Sequence, residues 1–265
     1  MSTTSEYIKV CEEAVRAGGA TVLDWIGRFE VREKGPADLV TQADLASQEA
    51  VRRIVLGAFP DHCLVGEEDA HASGPAPRAQ YRWIVDPLDG TTNYVHQVPH
   101  FAVSLALEHN GEVLVGAVYD PNREECFTAV AGQGARLDGR PLRTSAITDL
   151  SQALAVVGFV PNIQPGAPDL LVFQKAVFRC QSVRRTGCSS LNLCYLAAGR
   201  FDAYWSFGTH MWDVAAGVLL IREAGGIVTA PDGGPFVLEE AHFLAAANPP
   251  LHRQLRELVA AALRG

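Results

Sequence analysis

The sequence has no CxxC pair, no run of lysines or arginines, no low-complexity tract and no internal repeat. Each absence narrows the function. Without paired spacing, the cysteines at 11, 63, 126, 180, 188 and 194 read as buried reduced thiols, and a disulfide scaffold is not expected. The longest apolar stretches, such as residues 214–221, fall far short of the roughly 20 residues that a bilayer-spanning helix needs. The start, MSTTSEYIKV, lacks the basic residues and apolar core of a secretory signal, so a cytoplasmic protein is expected. Cations are scarce: Lys and Arg number 22 against 30 Asp and Glu, a formal net charge of −8. That balance sets nucleic acid and anionic membranes aside as partners. It also repels phosphate esters, unless bound cations reverse the sign locally.

What is present is a globular composition, 48% hydrophobic and 20% charged over 265 residues, enough for one large domain or two fused ones. Apolar residues Ile8, Cys11, Val15 and Val22 make a helical stripe within residues 7–26. Residues 30–37 read as a polar loop, and residues 41–58 as a second helix with Val51, Ile54, Val55 and Ala58 on one face. Short apolar runs at 63–65 and 83–85 are of the buried-strand kind. Residues 101–108 and 112–119 alternate around Asn110-Gly111, a hairpin signal. A strand at 126–130 and a turn at Asp138-Gly139 follow. The second half alternates strand and helix: strands at 153–159, 182–185 and 201–207, helices at 168–179, 189–198 and 214–224. Another strand pair then precedes a last helix, 251–264, opened by Asn248-Pro249-Pro250. The pattern predicts an α+β half, residues 1–145, and an α/β half, residues 146–265, acting as one catalytic unit.

Four acidic groups sit at strand ends or helix starts. In the run Asp86-Pro87-Leu88-Asp89-Gly90 an apolar strand ends in two carboxylates, Pro87 restricts the backbone between them, and Gly90 frees the turn after. Both carboxylates and the Leu88 carbonyl are hard oxygen donors, suited to Mg²⁺. Glu67 and Glu68 follow the strand at 63–65. Asp213 stands ahead of the helix at 214–224, where an N-cap is the plain reading, and Asp44 closes a Thr41-x-x-Asp44 capping pattern. Singly, each reads as a turn, a cap or a solvated loop. Together in an already acidic chain they repel one another, and divalent cations resolve that cost. Two such ions about 3.5–4 Å apart would clamp a phosphate.

At these residues the chain resembles the inositol monophosphatase family. Residues 83–96 (WIVDPLDGTTNYVH) are similar to its first signature and 212–226 (WDVAAGVLLIREAGG) to its second. Gly66-Glu67-Glu68 and the segment 38–44 resemble its other acidic segments, in the same order along nearly the whole chain. The resemblance implies a layered αβαβα sandwich of the sugar-phosphatase type and a Mg²⁺-dependent, lithium-sensitive phosphomonoesterase, often homodimeric. It implies hydrolysis of inositol-1-phosphate by activated water without a phosphoenzyme. Two to three Mg²⁺ are implied: one on Glu67, Asp86 and the Leu88 carbonyl, one on Asp86, Asp89 and Asp213, and a third supported by Asp44 through water. Thr91 with Glu67 would orient and deprotonate the water, and the N–H groups of Gly90 and Thr91 would hold the phosphate. Gly187, Cys188 and Ser189 would line the alcohol side, with Lys34 in a loop over the site.

Family members that prefer inositol phosphate carry a Glu seven residues before the second-signature Asp, and Ser206 stands there instead. Alternatives within the chemistry are therefore histidinol-phosphate phosphatase, fructose-1,6-bisphosphatase and 3′-phosphoadenosine 5′-phosphate phosphatase. The alternative from another class is a regulatory binding protein of the same fold. Ser189 reads as the cap of its helix or as a substrate contact. His96, His100 and His210 read as packed or surface histidines, since imidazole suits Zn²⁺ or Fe better than Mg²⁺.

Overall fold

The computed structural model describes residues 3–35, 38–70 and 80–264. The chain runs α1 (Thr4–Asp24), β1 (Val31–Gly35), β2 (Asp38–Thr41), α2 (Gln42–Ala58), β3 (Cys63–Gly66), α3 (Glu67–Ala70), β4 (Tyr81–Asp89), α4 (Thr91–Val95), β5 (Ala102–His109), β6 (Glu112–Asp120), β7 (Glu125–Val130), β8 (Gly134–Leu137) and β9 (Arg140–Pro141). It continues β10 (Leu154–Val157), α5 (Pro168–Ala176), β11 (Ser182–Arg184), α6 (Ser189–Ala197), β12 (Ala203–Ser206), α7 (Met211–Glu223), β13 (Ile227–Thr229), β14 (Phe243–Ala246) and α8 (Pro249–Leu263).

Two sheets result. β3-β4-β5-β6-β7-β8-β9 form the larger, antiparallel except between β3 and β4. The smaller has the order β11-β10-β12-β14-β13, with β10 parallel to both its neighbours. Side-chain alternation decides what each face of the larger sheet packs against. In β5 the large residues Val103, Leu105 and Leu107 point to α1 and α2, where they join Tyr7, Cys11, Val15, Val51 and Val55. The small residues Ala102 and Ala106 point the other way, into a cluster with α6, α7 and the inner face of the smaller sheet. α5 and α8 cover that sheet's outer face. The layers are therefore helix, sheet, helix, sheet, helix, the expected sandwich.

Small residues let the middle layer approach closely. A Cβ added at Gly116 of β6 would lie 2.8 Å from Ala216 Cα, so α7 rests directly on the sheet backbone. The helices start where local chemistry provides caps. Thr3 and Glu6 make a reciprocal cap on α1, and Thr41 and Asp44 make one on α2.

Three local expectations are corrected. Part of the polar stretch 30–37 is strand: Val31–Gly35 pairs antiparallel with Asp38–Thr41. Such a strand takes its backbone partners from the returning chain and shows no apolar alternation. The helix placed at 214–224 begins at Met211, so Asp213 is its third residue and not its cap. Ser189 does not cap α6, because Cys188 holds that position and no side-chain cap bond forms. Among the described residues no helix is long and apolar enough to cross a membrane, and all six cysteines are free.

Candidate active site

A cleft of about 580 Å³ opens where β4 of the larger sheet, the Gly187–Ser189 segment and the start of α7 meet. β4 drives its C-terminal end into this region, so Asp86 and Leu88 are buried at 1% and 0% exposure, and Asp89 is buried at the cleft wall. Asp86 Oδ1 accepts the Leu88 N–H at 3.0 Å, a local turn that follows from Pro87 between them. The chain then reverses at Gly90, which has φ +94° and packs so close to His100 O and Gly187 O that a side chain would collide.

Glu67 begins α3 directly after β3, which runs parallel to β4 and ends beside it. Asp213 enters from α7, its Oδ2 accepting the His210 N–H at 2.7 Å. Asp44 is 1% exposed and holds Thr41 N and Thr41 Oγ1 at 2.8 and 2.7 Å. Thr91 links these parts. Its Oγ1 lies 3.0 Å from Leu88 O and 3.3 Å from Asp44 Oδ1.

The electrostatics of this arrangement are those of like charges out of water. Burial, then Glu67, Asp89 and Asp213, push the Asp86 carboxyl well above the ordinary range. Burial and then Asp89 do the same to Asp213, and the His210 N–H only partly offsets them. Asp44 rises to about 7, chiefly by burial, with the Thr41 bonds opposing. Among the described residues, no Lys or Arg forms an ion pair with Asp86, Asp89 or Asp213. An oxygen-only donor set whose aspartates form no ion pair with Lys or Arg among the described residues fits hard divalent cations. No three of the described His, Cys, Asp and Glu side chains are already drawn onto one point. Asp89 instead accepts the Ser190 N–H and Asp213 the His210 N–H.

The wall away from the carboxylates includes Gly158, Phe159, Asn162, Arg185, Ser189 and Ser206. Ser206 is 1% exposed and sits under Gly158, where a Cβ would lie 2.8 Å from its hydroxyl. The structure thus brings Glu67, Asp89, Gly90, Thr91, Gly187, Cys188, Ser189, Ser206 and Asp213 onto one cleft, with Asp86, Leu88 and Asp44 behind them. The Lys34 side chain lies outside the described residues. His210 is exposed and stacks on Trp212 at 4.8 Å between ring centres.

Sequence reasoning missed the supports. Ser47 donates to Pro87 O at 2.8 Å, one helical turn beyond Asp44, and the i, i+3 spacing was a usable signal. Asn93 donates to His100 O and Thr186 O, which ties the two halves of the chain together. No local signal marks the contact with Thr186, because that partner is 93 residues away.

Comparison with known proteins gives a consistent result. Residues 3–265 match the inositol monophosphatase family. The chain is 40% identical over 247 residues to a Nus factor SuhB of Pseudomonas aeruginosa, covering 90% of each. It is 40% identical over 260 residues to an inositol-1-monophosphatase of Rhizobium meliloti, covering 96% of each. The solved inositol monophosphatase from Anabaena matches with a TM-score of 0.86 at 36% identity, over 97% of this chain and 96% of that one.

Proposed function

Since this chain belongs to the inositol monophosphatase family and is a phosphatase, we propose that it hydrolyses a small polyol or sugar phosphate monoester with Mg²⁺, with inositol-1-phosphate as the leading substrate. One observation carries this reading. Glu67, Asp86, Asp89 and Asp213 come from three separate elements to one cleft, and the buried aspartates lack cationic partners among the described residues.

Glu67, Asp86 and the Leu88 carbonyl would hold one ion and Asp86, Asp89 and Asp213 a second, with Asp44 supporting a third through water. Bound there, divalent ions neutralise the carboxylates, attract the phosphate dianion and make water a better nucleophile. The protein's own groups do the positioning. Thr91 has one hydroxyl proton, and Leu88 O and Asp44 both stand ready to accept it. The Thr91 lone pairs are then left to accept a hydrogen bond from the attacking water, and the Glu67 carboxylate takes the proton. The Gly90 and Thr91 N–H groups would orient the phosphate, which places the ester oxygen toward Gly187, Cys188, Ser189 and Ser206.

Ser206 meets that alcohol with a neutral hydroxyl. Broad use of polyol phosphates follows, because no carboxylate demands a ring of hydroxyls. The test is phosphate release from inositol-1-phosphate, histidinol phosphate and fructose-1,6-bisphosphate, each with Mg²⁺ and with a chelator. Release that depends on Mg²⁺ supports the reading; release unchanged by the chelator would overturn it.

The likeness to a Nus factor favours a second reading, a binding role that needs no turnover. A cellular phenotype of gene deletion restored in full by an inactive Asp213→Asn protein would establish that role.

A further inference from the structure

The segment between β11 and α6 is fastened to α4. Asn93 Nδ2 donates to Thr186 O at 2.9 Å. Gly187, at φ +87°, packs against the Asn93 amide, where a Cβ would lie 3.1 Å from Nδ2. This seats Cys188 against Asp89. The Cys188 thiol donates to Asp89 Oδ2 at 3.2 Å, and the Ser190 N–H donates to the same oxygen at 2.5 Å. Cys188 is 1% exposed and Asp89 8%, so water does not substitute for either donor. Ser190 Oγ lies 3.6 Å from Cys188 Sγ, and the Leu191 N–H also acts on the sulfur. Both donors thus act on one carboxylate oxygen, and among the described residues no hydrogen bond to Asp89 Oδ1 stands beside them.

Resting on the reading of Asp89 as a divalent-ion ligand, we infer that Cys188 is a positioning residue for the metal site. Its thiol and the Ser190 N–H together pin Asp89 Oδ2 and leave Oδ1 facing the cleft. The physical reason is rotational. A carboxylate held at one oxygen by a single donor swings about its terminal bond, whereas two donors from different directions fix its plane. Groups that orient a ligand in this way typically account for about 10- to 100-fold in metal affinity. A thiol is a weak donor, which puts the expected effect at the lower end. The site on the larger sheet is in this way completed by a side chain of the second half, across a separation of 99 residues.

The experiment measures ion binding directly. Mn²⁺ is titrated into metal-free wild-type, Cys188→Ala and Cys188→Ser proteins and followed by electron paramagnetic resonance. Cys188→Ala is expected to weaken one ion site by about tenfold. Cys188→Ser keeps a donor and is expected to bind within about threefold of wild type. Equal affinity of Cys188→Ala and wild type would overturn the inference. So would Cys188→Ser binding as weakly as Cys188→Ala, since side-chain volume and not the donor would then be responsible. A wild-type protein that binds no ion and releases no phosphate would instead remove the underlying reading, and the inference with it.

Discussion

Replacing Asp86 by Asn separates what the cleft costs the fold from what it contributes to chemistry. Asp86 is buried beside Glu67, Asp89 and Asp213, which together with desolvation raise its pKa well above that of an exposed aspartate. A raised folded-state pKa means that the native protein binds the proton more tightly than the unfolded chain. The Asp86 contribution to metal-free stability is then largest below the ordinary carboxylate range and is lost as pH climbs toward the raised folded-state value. Asn has nearly the same shape and keeps the oxygen that accepts the Leu88 N–H at 3.0 Å. It removes one charge from a like-charged cluster. Two like charges about 4 Å apart at an effective dielectric of 20 repel by about 4 kcal/mol, and the wild type relieves part of this by binding its proton more tightly. A net gain of roughly 1–2 kcal/mol at pH 8 is expected, which corresponds to about 2–8 °C in Tm for a chain of this size. The gain should shrink at pH 5, because lower pH favours the proton that the raised carboxyl holds more tightly than an exposed aspartate does. In the same variant, loss of a shared metal ligand is expected to lower kcat/KM by roughly a thousandfold, several kcal/mol of charge stabilisation. The assays are thermal denaturation in chelator at both pH values and phosphate release with Mg²⁺. A metal-free Asp86→Asn protein less stable than wild type at pH 8, or one that keeps full activity, would refute the reasoning.

Further outcomes are expected elsewhere. Asp169, 3% exposed and accepting the Phe207 N–H at 3.1 Å, is raised by burial to about 7. Its unfolded pKa is lower, so it costs stability as pH rises from about 4 to about 7; after discounting for partial solvent screening that cost is roughly 2 kcal/mol. Asp169→Asn should flatten the fall in Tm between pH 5 and pH 8, and an unchanged slope would count against it. Ser206→Glu restores a carboxylate on the alcohol side and should raise kcat/KM for inositol-1-phosphate over glycerol-2-phosphate by about tenfold, the value of a charged hydrogen bond. A ratio that stays constant would remove Ser206 from the substrate wall. Gly116→Ala drives a methyl into Ala216 at 2.8 Å from its Cα and should cost about 1–3 kcal/mol in denaturant titration. Per folded molecule, its phosphatase rate should be unchanged.

Much of the fold was legible because its signals are local. Capping chemistry at Thr41 and Asp44, the Asn110-Gly111 turn and the strand–helix alternation of the second half each involve residues a few positions apart. The errors occurred where the deciding partner is distant or ambiguous. Residues 31–35 are polar, and only their pairing with 38–41 makes them a strand. The expected start of α7 lies three residues past Met211 because Asp213 is a good cap by type, yet the carboxylate reaches back to His210 N from the third position.

The sequence by itself determined which residues are available for the chemistry: the acidic pairs, the Pro87 and Gly90 that shape the β4 end, and the two long signature runs. Periodicity and capping depend on neighbours within about a turn or a hairpin, so they survive in a linear reading. Only the tertiary structure decided that Glu67, Asp86, Asp89 and Asp213 meet at one cleft, where Asp86, Asp89 and Asp213 form no ion pair with Lys or Arg among the described residues. It also decided that Thr91 bridges Leu88 and Asp44 and that Cys188 and Ser190 hold Asp89. Those contacts arise from the stacking of two sheets about a shared helical layer. Their distances depend on how small residues such as Gly116 and Ala216 let the layers close, which no single stretch of chain encodes.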